Sequence, residues 1–173
     1  MTTIICATNR PKNQTRKVVE AYRNVVEKTG DDARVFSMEE LPPDFIFNDS
    51  FGRRTTPFSA LVETHIHPAE KLVIVAPEYN GSYPGIFKAF LDANNPKIWE
   101  GKKVALVGVA SGRAGNIRGL DHLVQVCHHL KMLVSPLQIP ISRLDSLMEE
   151  NGAFSHQITL DLFAEQYNQL TDL

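Results

Sequence analysis

The stretch APEYNGSYPGIFKAFLD, Ala76 to Asp92, decides the fold. The strand-forming residues Val73 to Ala76 run into Pro77, which cannot continue a hydrogen-bonded ladder on its N–H side. A polar, turn-prone cluster follows, Glu78, Tyr79, Asn80 and Gly81, in which Asn80-Gly81 is a strong turn signal. Pro84 suits the first turn of a helix, and Ile86, Phe87, Phe90 and Leu91 then recur at helical spacing. A buried strand handing over to an amphipathic helix through a short polar loop is the repeating element of a parallel sheet.

The same alternation extends in both directions. Apolar runs at Thr3 to Ala7, Arg34 to Ser37, Leu72 to Ala76, Val104 to Val109 and Met132 to Leu137 lack strict alternation, as expected of strands covered on both faces. Helical spacing appears at Val18, Tyr22, Val25 and Val26, stopped by Gly30, and again at Leu120, Leu123, Val124, Cys127 and Leu130. A closing pattern from Ile158 to Leu170 follows Ser155, a plausible N-cap. Parallel neighbours need a crossover and the helices supply it, so the reading is one α/β domain over residues 1–173 with helices on both faces of a five-stranded sheet.

Composition limits what such a domain does. The chain has 173 residues, 43% hydrophobic and 22% charged, enough for a sizeable core, and a net charge of -2 provides no global field for a nucleic acid or an anionic membrane. An anion site must therefore be local. The start, MTTIICATNRP, turns polar too soon for a secretory or membrane segment, so a cytoplasmic location is expected. Cys6 and Cys127 read as reduced core thiols. His65, His67, His122, His128 and His129 read as solvated or packed imidazoles, without companions at metal-ligand spacing, and no metal is expected. Trp99 either packs on the preceding helix or lies at an oligomer interface.

In a doubly wound sheet, ligands bind beyond the carboxyl ends of the strands. Three polar loops follow such ends. TNRPKNQT, Thr8 to Thr15, gathers hydroxyls, amides and Arg10 before a helix, where a phosphate is stabilised; the alternative is an ordinary capping loop with Asn13 as cap and Arg10 solvated. The loop from Pro77 to Gly81 offers fixed peptide groups to the edge of a flat heterocycle, with Tyr79 near its face. ASGRAGNIRG, Ala110 to Gly119, places three glycines in eight residues beside Ser111 and Asn116, so its backbone permits close approach. Their joint placement on one rim describes a site for a phosphate-bearing aromatic cofactor.

These residues carry a resemblance. PEYNGSYPGIFKAFLD resembles the signature of the NAD(P)H-dependent FMN reductases, the flavodoxin-like family related to quinone, azo-dye and chromate reductases, and ATNRPKNQTRKV resembles that family's phosphate loop. The resemblance implies a flavodoxin-like fold with strand order 2-1-3-4-5 that binds FMN and uses NADPH or NADH. It assigns Thr8, Arg10, Asn13, Gln14 and Thr15 to the phosphate, Pro77, Glu78, Tyr79, Asn80 and Gly81 to the isoalloxazine, and Ser111, Gly112, Gly115 and Asn116 to its far rim. It names no catalytic acid or base, and implies hydride transfer to a small-molecule acceptor (free flavin, quinone or azo compound) in ping-pong order by a homodimer or homotetramer. FLDANNP departs from members that place a tryptophan after the aspartate. The alternative is a flavodoxin-type electron carrier or an FMN-binding sensor, against which Arg10 and the weak net charge both count. The segment LPPDFIFNDSFGRRTTP, Leu41 to Pro57, has no clean period; it is a candidate to cover the site or meet a partner subunit, with Arg53 and Arg54 as candidates for the extra phosphate of NADPH.

Overall fold

Six β segments fill five positions in one parallel sheet: β1 (Thr2–Cys6), β2 (Ala33–Ser37), β3 (Lys71–Pro77), β4 (Lys103–Val109), β5 (Leu133–Val134) and β6 (Ile139–Ile141). The computed structural model describes residues 1–51 and 53–173. The order is β2-β1-β3-β4-β5, with β6 also paired to β4, as the sequence leads one to expect. The fifth position is interrupted, however. Leu133 and Ser135 donate their N–H groups to Lys102 O and Val104 O, then Pro136, which has no N–H, releases the chain until it rejoins β4 at Ile139.

The helices are α1 (Thr15–Lys28), α2 (Phe45–Asn48), α3 (Thr56–His65), α4 (Gly85–Asp92), α5 (Ile117–His129) and α6 (Gln157–Asp172). Side chains alternate across the sheet, so each strand feeds two cores. Ile4, Val73, Val75, Ala105 and Val107 pack beneath α1 and α6, while Ile5, Leu72, Ile74, Val104 and Leu106 pack beneath α3, α4 and α5. This is the doubly wound arrangement.

Two caps differ from expectation. Ser155 does not cap α6: its hydroxyl donates to the Glu149 carboxylate, a stronger acceptor partner, and His156 takes the cap position with Nδ1 2.9 Å from Thr159 Oγ1. Pro84 stands just before α4, with an extended ψ of 134°, and not within its first turn. Helix α3, the crossover from β2 to β3, has no counterpart in the sequence reading; Phe58 and Val62 form its buried stripe and Pro57 lies in its first turn. Trp99 is fully buried and meets Phe90 of α4 edge-on at 5.9 Å, which places it in the protomer's own core. Cys6 and Cys127 are buried free thiols, and burial raises them to about 11 and about 12, so neither ionises near neutral pH.

At the amino ends of the strands, α6 is tied to the sheet by a polar network. Tyr167 bonds Thr2 Oγ1 at 2.8 Å and donates to Asp31, which also pairs with Lys71 Nζ at 2.7 Å. The Lys71 ammonium first, and the Tyr167 hydroxyl second, hold the Asp31 carboxyl below its usual range. A depressed folded-state value contributes stability above the unfolded value and loses it as pH falls through the folded one. Asp31→Asn is therefore expected to lower stability at neutral pH and to flatten its fall below about pH 4, measured by denaturant melts across that range.

Candidate functional site

The first loop folds through its own side chains. Asn13 Oδ1 accepts the Arg16 N–H at 2.9 Å, and its Nδ2 donates to Arg10 O at 2.9 Å and to Glu39 Oε2 at 3.3 Å. Asn13 thus acts as the cap the sequence allowed, while Gln14 occupies the cap position of the backbone. Lys12 turns the chain at a φ of 55°, and Thr15 is buried as the first residue of α1. The first turn of α1 carries no acidic residue of its own, which suits an anion at its amide groups.

The second loop is a tight turn pinned to β4. Glu78 donates its N–H to Val109 O at 2.8 Å, and Tyr79 and Ser82 exchange backbone bonds at 2.8 and 3.1 Å. Asn80 and Gly81 between them have φ values of 52° and 78°, the paired positive angles that favour an Asn-Gly turn. Arg118 reaches over Gly81 to within 3.7 Å of Glu78 Oε1, and His122 bonds Ser82 Oγ at 2.8 Å. The turn is braced from α5.

The third loop folds back onto the sheet. Asn116, left-handed at a φ of 63° and buried, donates Nδ2 to Ala76 O at 2.9 Å. A side chain on Gly108 would lie 2.3 Å from Gly115 O, and one on Gly119 would lie 2.1 Å from Asn116 Oδ1. Gly115, at a φ of 59°, presses against Pro140. Gly112 O accepts the Arg143 N–H at 2.8 Å.

The three loops line one cavity of about 520 Å³ at the carboxyl ends of β1, β3 and β4, within the usual range of about 300–1,000 Å³ for small-molecule sites. Arg10, Asn13, Gln14, Thr15, Pro77, Glu78, Tyr79 and Ser111 face it. Thr8 does not; it is buried behind the wall, bonded to Tyr79 OH at 2.6 Å. Asn80, Gly81, Gly112, Gly115 and Asn116 also lie outside the lining, and the last two hold the third loop in place. Lys12, Leu144 and Asp145 join the lining without having been read from the sequence; the latter two follow β6, whose true end lies beyond the expected fifth run.

The Leu41 to Pro57 segment, apart from Gly52, which is outside the described residues, contributes nothing to the lining of this cavity; its Phe51 and Arg54 line another, with His67 and Asp92 to Ile98. Glu39, just before it, bonds Asn13, while Phe47 and Phe51 are 81% and 97% exposed. Arg54 lines a second cavity of about 800 Å³, donates to Asn94 Oδ1 at 3.3 Å and sits 5.9 Å above the Phe58 ring. His65 stacks on Phe36 at 4.9 Å, and burial lowers its basicity. Among the described residues no His, Cys, Asp or Glu cluster suits a metal, and no helix is long and apolar enough to cross a membrane.

The residues present fit a nucleotide-type cofactor: a helix N-terminus free of acidic residues and two cations at one end, and fixed peptide groups with an aromatic ring at the other. The sheet order and its helices define a flavodoxin-like domain with a cavity at the carboxyl ends of its strands. Residues 2–144 match the family described as NADPH-dependent FMN reductase, and the chain belongs to that family. It is 34% identical over 110 residues to a 2-hydroxy-1,4-benzoquinone reductase of Burkholderia sp, a match covering 59% of this chain and 60% of that one. It is 31% identical over 103 residues to an FMN-dependent NADPH-azoreductase of Staphylococcus aureus, covering 57% of this chain and 54% of that one. These matches thus span somewhat over half the length of either relative. Among solved structures, an oxidoreductase from Corynebacterium diphtheriae superposes with a TM-score of 0.79 at 18% identity, covering 99% of this chain and 94% of the other. The NAD(P)H:(acceptor) oxidoreductase FerB of Paracoccus denitrificans gives 0.76 at 17% identity, covering 98% and 94%. At such identities these superpositions show the flavodoxin-like fold, and the family match supplies the oxidoreductase class.

Proposed function

We propose that this chain is an FMN-dependent oxidoreductase that takes hydride from NADPH or NADH and passes its reducing equivalents to a small-molecule acceptor: a quinone, an azo compound or free flavin. The observation that carries this reading is the convergence of the three loops on one cavity at the positive end of α1, inside the region that matches the family. FMN bound there supplies the two-electron chemistry. The chain supplies the rest. Arg10, Gln14, Thr15 and the α1 amides hold the phosphate, with Lys12 adding positive charge. The Pro77 to Gly81 backbone and Tyr79 position the ring, and Ser111 closes the far side. Donor and acceptor are taken to use the same space beside the ring in turn, a ping-pong order. The two relatives' names support quinone and azo acceptors. A homodimer or homotetramer in the cytoplasm completes the reading; the exposed Phe47 and Phe51 are suited to a subunit contact, and the free thiols to a reducing compartment.

The test is anaerobic stopped-flow mixing of the FMN-loaded protein with each nucleotide, following loss of the oxidised flavin's visible absorption. Fast, saturable bleaching is expected, and steady-state kinetics with a quinone should give parallel double-reciprocal lines. FMN that binds but stays oxidised with both nucleotides would instead support an electron carrier or sensor.

A further inference from the structure

The phosphate-side loop and the ring-side turn are joined by a side-chain contact between residues far apart in the chain: Thr8 Oγ1 and Tyr79 OH, 2.6 Å apart. Thr8 is fully buried at the end of β1, and its oxygen also accepts the Arg10 backbone N–H at 3.1 Å. Arg10 is thereby gripped twice, by Thr8 at its N–H and by Asn13 at its C=O. A threonine hydroxyl has one proton and two lone pairs; these contacts use two of the three, and Thr8 is not among the residues lining the cavity. Arg10 and Tyr79, which the clamp connects, both line the cavity.

We propose that Thr8 and Tyr79 are positioning residues whose hydroxyl-to-hydroxyl clamp couples the loop carrying Arg10 to the turn carrying Tyr79, so that a flavin is recognised as phosphate and ring jointly. The inference rests on the FMN reading above and adds to it a basis for choosing FMN over riboflavin. Without the phenol hydroxyl, the buried threonine hydroxyl loses the partner that ties it to the ring-side turn, and the Thr8 and Asn13 grip on Arg10 is no longer held in register with that turn. The phosphate contribution to binding then falls, while the ring contribution stays nearly intact.

The experiment is fluorescence titration of the apoprotein with FMN and with riboflavin, for the wild type, Tyr79→Phe, Thr8→Val, Thr8→Ser and the double variant Thr8→Val/Tyr79→Phe. Tyr79→Phe, which loses one buried hydrogen bond, is expected to weaken FMN roughly tenfold, and Thr8→Val, which loses two, at least as much, with riboflavin weakened less than about twofold in each. Thr8→Ser keeps the hydroxyl and should keep the wild-type ratio. The double variant should be no worse than Thr8→Val alone, because the bond that Tyr79→Phe removes is already lost there. An unchanged FMN-to-riboflavin ratio in both single variants, or additive losses in the double, would overturn the clamp while leaving FMN binding in place. Either single variant suffices if the other does not fold. Failure of the wild type to bind FMN would overturn the functional reading and the clamp with it.

Discussion

Gly108→Ala is expected to cost about 1–3 kcal/mol of stability and to weaken FMN at least about tenfold, because overpacking here displaces the third loop. The new methyl would sit 2.3 Å from Gly115 O, a backbone atom, with Leu120 Cδ1 and Asn116 Cβ at 3.1 and 3.2 Å. No rotamer relieves that contact. The strand is paired on both sides, with β3 through the Ala76 to Gly108 register and with β6 through Pro140, so the loop is what yields. Its retreat pulls Asn116 off Ala76 O and moves Ser111 away from the cavity. Denaturant unfolding gives the first quantity and flavin fluorescence titration the second; wild-type values for both would mean that the loop is not packed against β4 as described.

Trp99→Ala should cost about 3–5 kcal/mol, the usual range for removing a large buried aromatic. Trp99 is fully buried, edge-on to Phe90, in the core shared by α3, α4 and α5. Among the described residues its indole N–H has no acceptor, so Trp99→Phe removes an unpaired donor along with volume and is expected to cost much less. Against a typical total of about 5–15 kcal/mol, the alanine variant would be marginal. A large change in oligomeric state with little change in protomer stability would contradict this placement.

How far the sequence led depended on how local each signal is. The strands β1, β3 and β4 are continuous apolar runs closed by a proline or polar loop, and that signal needs no partner to be read. The loops they feed were legible for the same reason. α3 was missed because the aperiodic Leu41 to Pro57 segment runs into its first residues and hides the Phe58 to Val62 stripe. The last strand was placed too early: Met132 to Leu137 looks like one run, yet Pro136 breaks the ladder and β6 resumes at Ile139. That misplacement hid Leu144 and Asp145, since the loop to be searched follows Ile141. Glycine and asparagine serve ligands and turns alike, so the bond from Asn116 to Ala76 O and the packing of Gly115 on Pro140 become visible only in the fold. The position of Thr8 in the motif does not tell that its hydroxyl bonds Tyr79 and the Arg10 N–H, contacts made across the fold.

The interrupted border of the sheet has a bearing on assembly. Ile141 O faces inward to the Ala110 N–H, so in a parallel ladder the intervening Pro140 turns its backbone outward, where it has no donor to offer. With β5 reduced to Leu133–Val134 beside it, this margin is a poor template for a foreign strand. Growth into sheet-extended fibres is blocked at this margin by the same proline that packs against Gly115.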